Sequence, residues 1–237
     1  DGFTETKQTC LKLAKGDDMI SQYYLARIYH FGRHHESSKR DHKRAAQWYL
    51  KSANNGYHKA QYSLAILYAI GKGVKKDTKE KLKWLTLAAN QGNKQAPYQI
   101  GITYYFGKDT QRDDRLAARW MEIGSSLGDK KALQTMGEIY FFGNGVKKNK
   151  VKAHQYWIKS ASKGSYSSML NVAINYYHGR GTQKDYRESR KQLVRIVTLL
   201  TRKKRSNALS KLQTQILGKS EYYIGQRYIP SNISTYD

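Results

Sequence analysis

One cysteine, Cys10, occurs in 237 residues. A single thiol closes no internal disulfide and supplies no cysteine-based metal cluster, so the redox compartment stays open. Proline is almost as rare, with only Pro97 and Pro230, which excludes a proline-rich linker. No run of about 18 apolar residues occurs, so no segment reads as a membrane-spanning helix. Acidic side chains are scarce as well: 18 face 43 lysines and arginines, a net charge of +25. A field of that sign attracts anionic partners and speeds their encounter without dictating a fold. Acidic protein, nucleic acid, anionic glycan and lipid surfaces all fit it. The chain opens at Asp1 rather than Met, as expected where a leader has been removed or the sequence trimmed.

What is present is periodic. Gly71, Gly107, Gly143 and Gly179 stand 36 residues apart, with Gly32 ahead of them by 39. Gly56, Gly92, Gly128 and Gly164 keep the same step, as do Tyr68, Tyr104, Tyr140 and Tyr176. Trp48, Trp84 and Trp120 share a position that Tyr156 takes next, with Trp157 beside it. Within a unit, Ala60, Leu64 and Tyr68 recur every four residues, one face of a helix. Gly71 is placed to end that helix and Asp77 to cap the next, which carries Trp84, Ala88 and Ala89 up to Gly92. Such a helix–turn–helix buries its apolar stripe only by stacking on neighbours.

The pattern A-x3-L-[GA]-x2-Y-x2-G-x-G-V-x2-[DN], followed by A-x2-W-x3-[AS]-A-x2-G, resembles the Sel1-like repeat, a relative of the tetratricopeptide repeat. The second and fourth units fit best. The third reads GKDTQRDD at its turn, the fifth GRGTQKD, and the first carries a three-residue insertion between Gly32 and Asp41. The resemblance implies an all-α fold: a right-handed superhelical solenoid of helix pairs with a concave face. Its expected layout is a half-repeat helix over 1–16, then repeats over about 17–56, 57–92, 93–128, 129–164 and 165–200. A capping helix and tail over 201–237 would follow. Thr201-Arg-Lys-Lys-Arg205 is expected to break the helix that starts near Tyr186, and an amphipathic segment with Leu209, Leu212, Ile216 and Leu217 to follow it. The tail, including Tyr222, Tyr223 and Tyr228, is ambiguous.

Catalytic constellations are missing from the sequence. The histidines, His30, His34, His35, His42, His58, His154 and His178, form no H-E-x-x-H pair, and His34-His35 lies in the first-repeat insertion without carboxylates at ligand spacing. No G-x-S-x-G elbow or Walker loop occurs, and G-x-G-V follows a helix rather than a strand. Cys10 reads as a structural thiol in a helix. Some Sel1-like proteins carry paired cysteines bridging each repeat, and activity has been suggested for that branch; this chain lacks the pairs. The expectation is a non-enzyme with no cofactor and no metal.

In the repeat class it resembles, the first helix of each pair lines the concave groove. Transferred to this chain, the lining is Tyr23, Arg27 and His30; Tyr62, Ile66 and Ala69; Tyr98, Ile102 and Tyr105; Gln134, Glu138 and Phe141; Leu170, Ile174 and Tyr177. Tyrosine dominates, which suits protein recognition, although stripes at this spacing also serve as ordinary core. The basic residues Lys75, Lys76, Lys147 and Lys148 fall in turns, and Arg202, Lys203, Lys204 and Arg205 cluster near the end. The aromatic and basic tracks read as separate, whereas nucleic-acid binding calls for interleaving. The resemblance therefore implies a scaffold or adaptor that binds a protein, acting outside the cytoplasm of a bacterium. The alternatives are an immunity protein that neutralises a toxin, and a binder of nucleic acid or an anionic glycan or envelope surface.

Overall fold

The computed structural model describes residues 9, 11–32, 40–107, 109–205 and 209–225, with backbone alone at 203–205 and 212. Cys10, His34, His35, Tyr228 and the side chains of Lys203, Lys204, Arg205 and Leu212 lie outside the described residues. All regular structure described is helical. A segment at 11–15 precedes α1 (Met19–Phe31), α2 (His42–Asn54), α3 (His58–Ile70), α4 (Thr78–Asn90), α5 (Ala96–Phe106) and α6 (Asp114–Ser126). These form one compact unit, residues 1–127. The second unit, 128–237, holds α7 (Lys130–Phe142), α8 (Lys150–Ser162), α9 (Tyr166–His178), α10 (Tyr186–Arg205) and α11 (Lys211–Gly225). None of these helices is long and apolar enough to cross a membrane.

One turn device recurs in all five pairs. Each first helix ends on a left-handed glycine: Gly32, Gly71, Gly107, Gly143 and Gly179. The residue that opens the second helix then donates its backbone N–H to the repeat tyrosine's carbonyl. These bonds are Asp41 to Tyr29, Asp77 to Tyr68, Asp113 to Tyr104, Asn149 to Tyr140 and Asp185 to Tyr176, at 2.8–3.1 Å. Its side chain meanwhile accepts from the first-turn amides of the second helix, satisfying donors that helix start would otherwise leave open. The bond survives both the insertion of the first repeat and the altered turn of the third. There Asp109 replaces the second turn glycine, takes φ 63°, and places its carboxylate 2.6 Å from Lys76 Nζ.

Elsewhere that second glycine is required by space. A Cβ on Gly73 would lie 1.9 Å from the His42 carbonyl oxygen, and one on Gly181 would lie 2.0 Å from that of Lys150. The turn of one repeat therefore rests directly on the preceding second helix.

The core of the first unit runs from Ala26 and Tyr49 through Leu64, Leu67 and Leu85 to Ile100. In the second unit, Ala153, Trp157 and Val172 form one cluster, and Met169, Leu170, Ile196, Leu200, Ile216 and Leu217 another. Residues 201–205 do not break α10, which continues to Arg205. Arginine and lysine are good helix formers, and neither Gly nor Pro stands there to stop it.

Candidate functional site

The residues expected to line a groove in the first unit lie on its first helices, and much of the set is engaged. Tyr23 meets Tyr24, Tyr49 and Tyr57 at centroid distances of 5.5, 5.8 and 5.1 Å. Arg27 is exposed, its guanidinium 5.7–6.0 Å from the rings of Tyr23, Tyr24 and Phe31. His30 stacks on Phe31 at 4.6 Å, and its Nδ1 lies 3.5 Å from the Tyr49 hydroxyl. Burial, then the neighbouring charges of His42, Lys72 and Arg40, hold His30 below the usual imidazole range. Tyr62 packs on the core, and Tyr62, Ile66 and Tyr98 are half-buried. Tyr105 meets Phe106 edge-on at 5.3 Å, with Arg112 over its ring at 5.7 Å.

Ala69 and Ile102 come together with Lys76, Lys81, Thr103, Phe106 and Asp109 around a cavity of about 260 Å³. Lys81 Nζ donates to Thr103 Oγ1 at 2.6 Å, and burial holds its pKa below the ordinary lysine range. Phe106 is 71% exposed. It belongs to a row that the lining rule passed over, the residue just before each helix-ending glycine. Phe31, Ile70, Phe106 and Phe142 occupy that place and all are exposed. Their spacing was the available signal, one residue beyond the positions counted.

In the second unit, Glu138, Phe141 and Ile174 converge with Phe142, Trp157, Asn171, Asn175, Arg180 and Tyr223 around a cavity of about 390 Å³. Gln134 Nε2 donates to Glu138 Oε1 at 3.2 Å, and Trp157 Nε1 donates to the Gln134 carbonyl at 3.2 Å. Burial raises the Glu138 pKa, with the Gln134 hydrogen bond opposing it. Tyr177 stands apart, against Tyr186 and Tyr223 at 5.3 and 5.6 Å, beside a separate cavity of about 270 Å³.

Two expectations need correction. Leu170 is not on an open face: it is 6% exposed within the cluster containing Ile216 and Leu217, because α11 packs across α9 as well as α10. Nor are the cationic and aromatic tracks separate: Arg112 lies 5.7 Å from the ring of Tyr105 and Lys150 6.0 Å from that of Phe141, both expected lining residues, and other aromatics carry cations too. Lys51 lies 4.6 Å from the Trp48 ring, Lys83 5.2 Å from Trp84, Lys152 5.2 Å from Tyr140 and Lys159 5.7 Å from Tyr156. The flexible lysine stems fold back over neighbouring rings while their charged ends stay wet. Lys75, Lys76, Lys147, Lys148 and Arg202 are exposed. Among the described residues no group of three His, Cys, Asp or Glu could hold a metal ion.

Residues 20–57, 58–93, 95–129, 131–165 and 167–191 each match the Sel1 repeat. The structure is similar to that of a protective antigen of uropathogenic Escherichia coli strains displaying an SLR fold. The identity is 27% and the TM-score 0.76, over 94% of this chain and 51% of that one, so the chain spans about half that protein's length. It is also similar to a Sel1 repeat protein from Oxalobacter formigenes, at 26% identity and TM-score 0.68 over 89% of each chain. No curated protein matches the sequence.

Proposed function

Because the chain belongs to the Sel1 repeat family, we propose that it works by binding a partner protein, without catalysis, through the inner faces of its first helices. The observation that carries this reading is the row of Phe31, Ile70 and Phe106, large apolar side chains 46%, 51% and 71% exposed at one position of three successive repeats of the first unit. The mean hydropathy of the chain is −0.81, so exposed apolar side chains aligned at one repeat position call for a cover. The partner is acidic: the chain carries a net charge of +25, and attraction of opposite charge speeds encounter and sets orientation. Apolar contacts then hold what the field has drawn in.

The test is affinity capture from nuclease-treated source lysate, comparing wild type with Ile70→Ala/Phe106→Ala. Both side chains are exposed, so the pair separates binding from folding better than Tyr62 and Tyr98, which are half-buried. One dominant acidic protein, lost in the variant at unchanged melting temperature, is the expected result. If that protein is an enzyme held tightly and inhibited, the module sequesters a toxin rather than building an assembly. Equal capture by both forms, removed by salt, would refute binding through the apolar row.

The lysines over Trp48 and Trp84 favour a second reading, an anionic polymer tracked along the second helices of the first unit, where charge and ring faces act together. It requires affinity for a single-stranded oligonucleotide or sulfated glycan that falls steeply with salt.

A further inference from the structure

The acidic side chain at the centre of the second unit's cavity is out of character with its surroundings. In a chain of net charge +25, Glu138 accepts one hydrogen bond, from Gln134, and forms no ion pair among the described residues. Arg180 lines the same cavity without pairing with it. A half-buried carboxylate without a counter-charge costs stability, and such groups are kept where something else gains from them. Around it stand Phe141, Phe142 and Trp157, with Phe141 and Trp157 at 5.4 Å between centroids and Phe141 and Phe142 edge-on at 5.1 Å. Phe142 is 64% exposed, so the ring has no cover on much of its surface.

Chemistry narrows the occupant. An anion would meet both the Glu138 charge and a largely aromatic lining, with Arg180 and Lys150, whose Nζ lies 6.0 Å from the Phe141 ring, to oppose them. An uncharged apolar group would strip water from Glu138 and return nothing. A cation gains from the carboxylate and from the ring faces together, each stronger where water is excluded. The volume, about 390 Å³, falls within the range of sites that enclose a small organic group.

We propose that this cavity receives one basic side chain, a lysine or arginine of the partner protein, with Glu138 as counter-charge and Phe141, Phe142 and Trp157 as walls. The proposal rests on the reading that the inner helices bind a protein. It refines that partner's chemistry: an acidic surface, drawn in by the lysines, that carries a single basic anchor. Screening over about 8 Å at physiological salt lets an anchor enter here although the chain as a whole repels cations. Arg180, which lines the same cavity, competes with the anchor for Glu138.

The pocket can be tested without knowing the partner. The full chain is titrated with Nα-acetyl-lysine methylamide, Nα-acetyl-arginine methylamide and the uncharged Nα-acetyl-norleucine methylamide, following the Trp157 indole N–H by NMR. The two cationic probes are expected to shift that signal saturably at millimolar concentration, with norleucine roughly tenfold weaker or silent. Glu138→Gln keeps the shape and should weaken the cationic probes about tenfold while leaving norleucine unchanged. Phe142→Ala, at an exposed ring, should weaken them severalfold without altering the fold, and Arg180→Ala should strengthen them. Equal response to all three probes, no response, or indifference to Glu138→Gln and Phe142→Ala would overturn the proposal. A silent Trp157 beside intact partner capture would remove this pocket and leave protein binding standing. A responsive Trp157 with no partner captured would do the reverse.

Discussion

The two units share one frame, which buries the residue after the repeat position, and differ in what that buried residue is. In the first, Trp48, Trp84 and Trp120 take the repeat position, and Tyr49, Leu85 and Met121 beside them are buried between the helices. In the second, the order is exchanged: Tyr156 takes the repeat position and stacks on Tyr140 at 5.5 Å, while Trp157 goes inside. The facing residue on the first helix is small in every repeat. Ala26 and Ala65 share the core with Tyr49 and Leu85, and Ala173 shares its own with Leu193. Gly101 faces Met121, and a Cβ on Gly137 would lie 2.3 Å from the Trp157 indole nitrogen. The frame thus fixes where helices run, and in the fourth repeat the buried position carries an indole that lines the cavity of about 390 Å³.

The largest effect should be blind to the difference between units. Gly73→Ala and Gly181→Ala each force a left-handed alanine into a backbone carbonyl, and urea unfolding should show a loss of about 3 kcal/mol or more. Gly92→Ala and Gly164→Ala, left-handed but with nothing within 4 Å, should lose only about 1 kcal/mol. Equal losses across the four would mean that the turns do not rest on the preceding helices as described.

A middle-sized effect should separate the units. Gly137→Ala should lose about 2 kcal/mol and Gly101→Ala about 1, because a methionine yields where an indole cannot. Adding Trp157→Leu to Gly137→Ala recreates the Ala65–Leu85 pairing of the second repeat and should recover part of the loss. Strict additivity in that double variant would break the matched-pair account.

Acid should find the second unit through His154. Its ring is buried, Nδ1 lies 3.2 Å from Asn175 Nδ2, Nε2 has no partner, and burial holds its pKa below the usual value. The unfolded chain therefore binds the proton more readily. This stability is present above about pH 6.5 and drains away as pH falls from there toward the folded pKa, by at most about 1.4 kcal/mol per pH unit. His154→Phe should flatten that slope in melting curves taken from pH 7.5 to 5.

Glu138 runs the other way and is the smallest effect. Its raised folded pKa means that ionisation works against folding, so Glu138→Gln should raise the melting temperature near pH 7. That gain should vanish below about pH 4.3, where the unfolded carboxylate is also protonated. A variant less stable than wild type at pH 7 would show that the carboxylate supports the fold.

Much of this frame was legible before any coordinates. Glycine and tyrosine spacings set the helix pairs, and the Asp77-type residue declared the second helix start, because both are local backbone requirements. The inner-face register also brought out Glu138, Phe141 and Ile102. What escaped depended on side-chain paths and distant chain. Leu170 is covered by α11, which no rule drawn from the repeat can see, and Lys51 or Lys83 reaches a ring through four flexible carbons. The neighbours Tyr156 and Trp157 were visible, and the register that buries Tyr49, Leu85 and Met121 turns Trp157 inward, but how closely its indole meets Gly137 was not legible.

The capping residues bear on how this surface can change over time. Asp18, Asp41, Asp77, Asp113, Asp129 and Asp185, six of the 18 acidic residues, hold helix-start amides through their side chains. Each is tied to its place by folding. The lysines in the turns and along the second helices hold no helix start, although Lys76 pairs with Asp109 and Lys81 donates to Thr103. Sequence drift toward a more positive exterior meets little resistance until it reaches those aspartates, and there it stops. Relatives that share this frame should vary widely in net charge, yet keep a short acidic or amide side chain at most of the six positions.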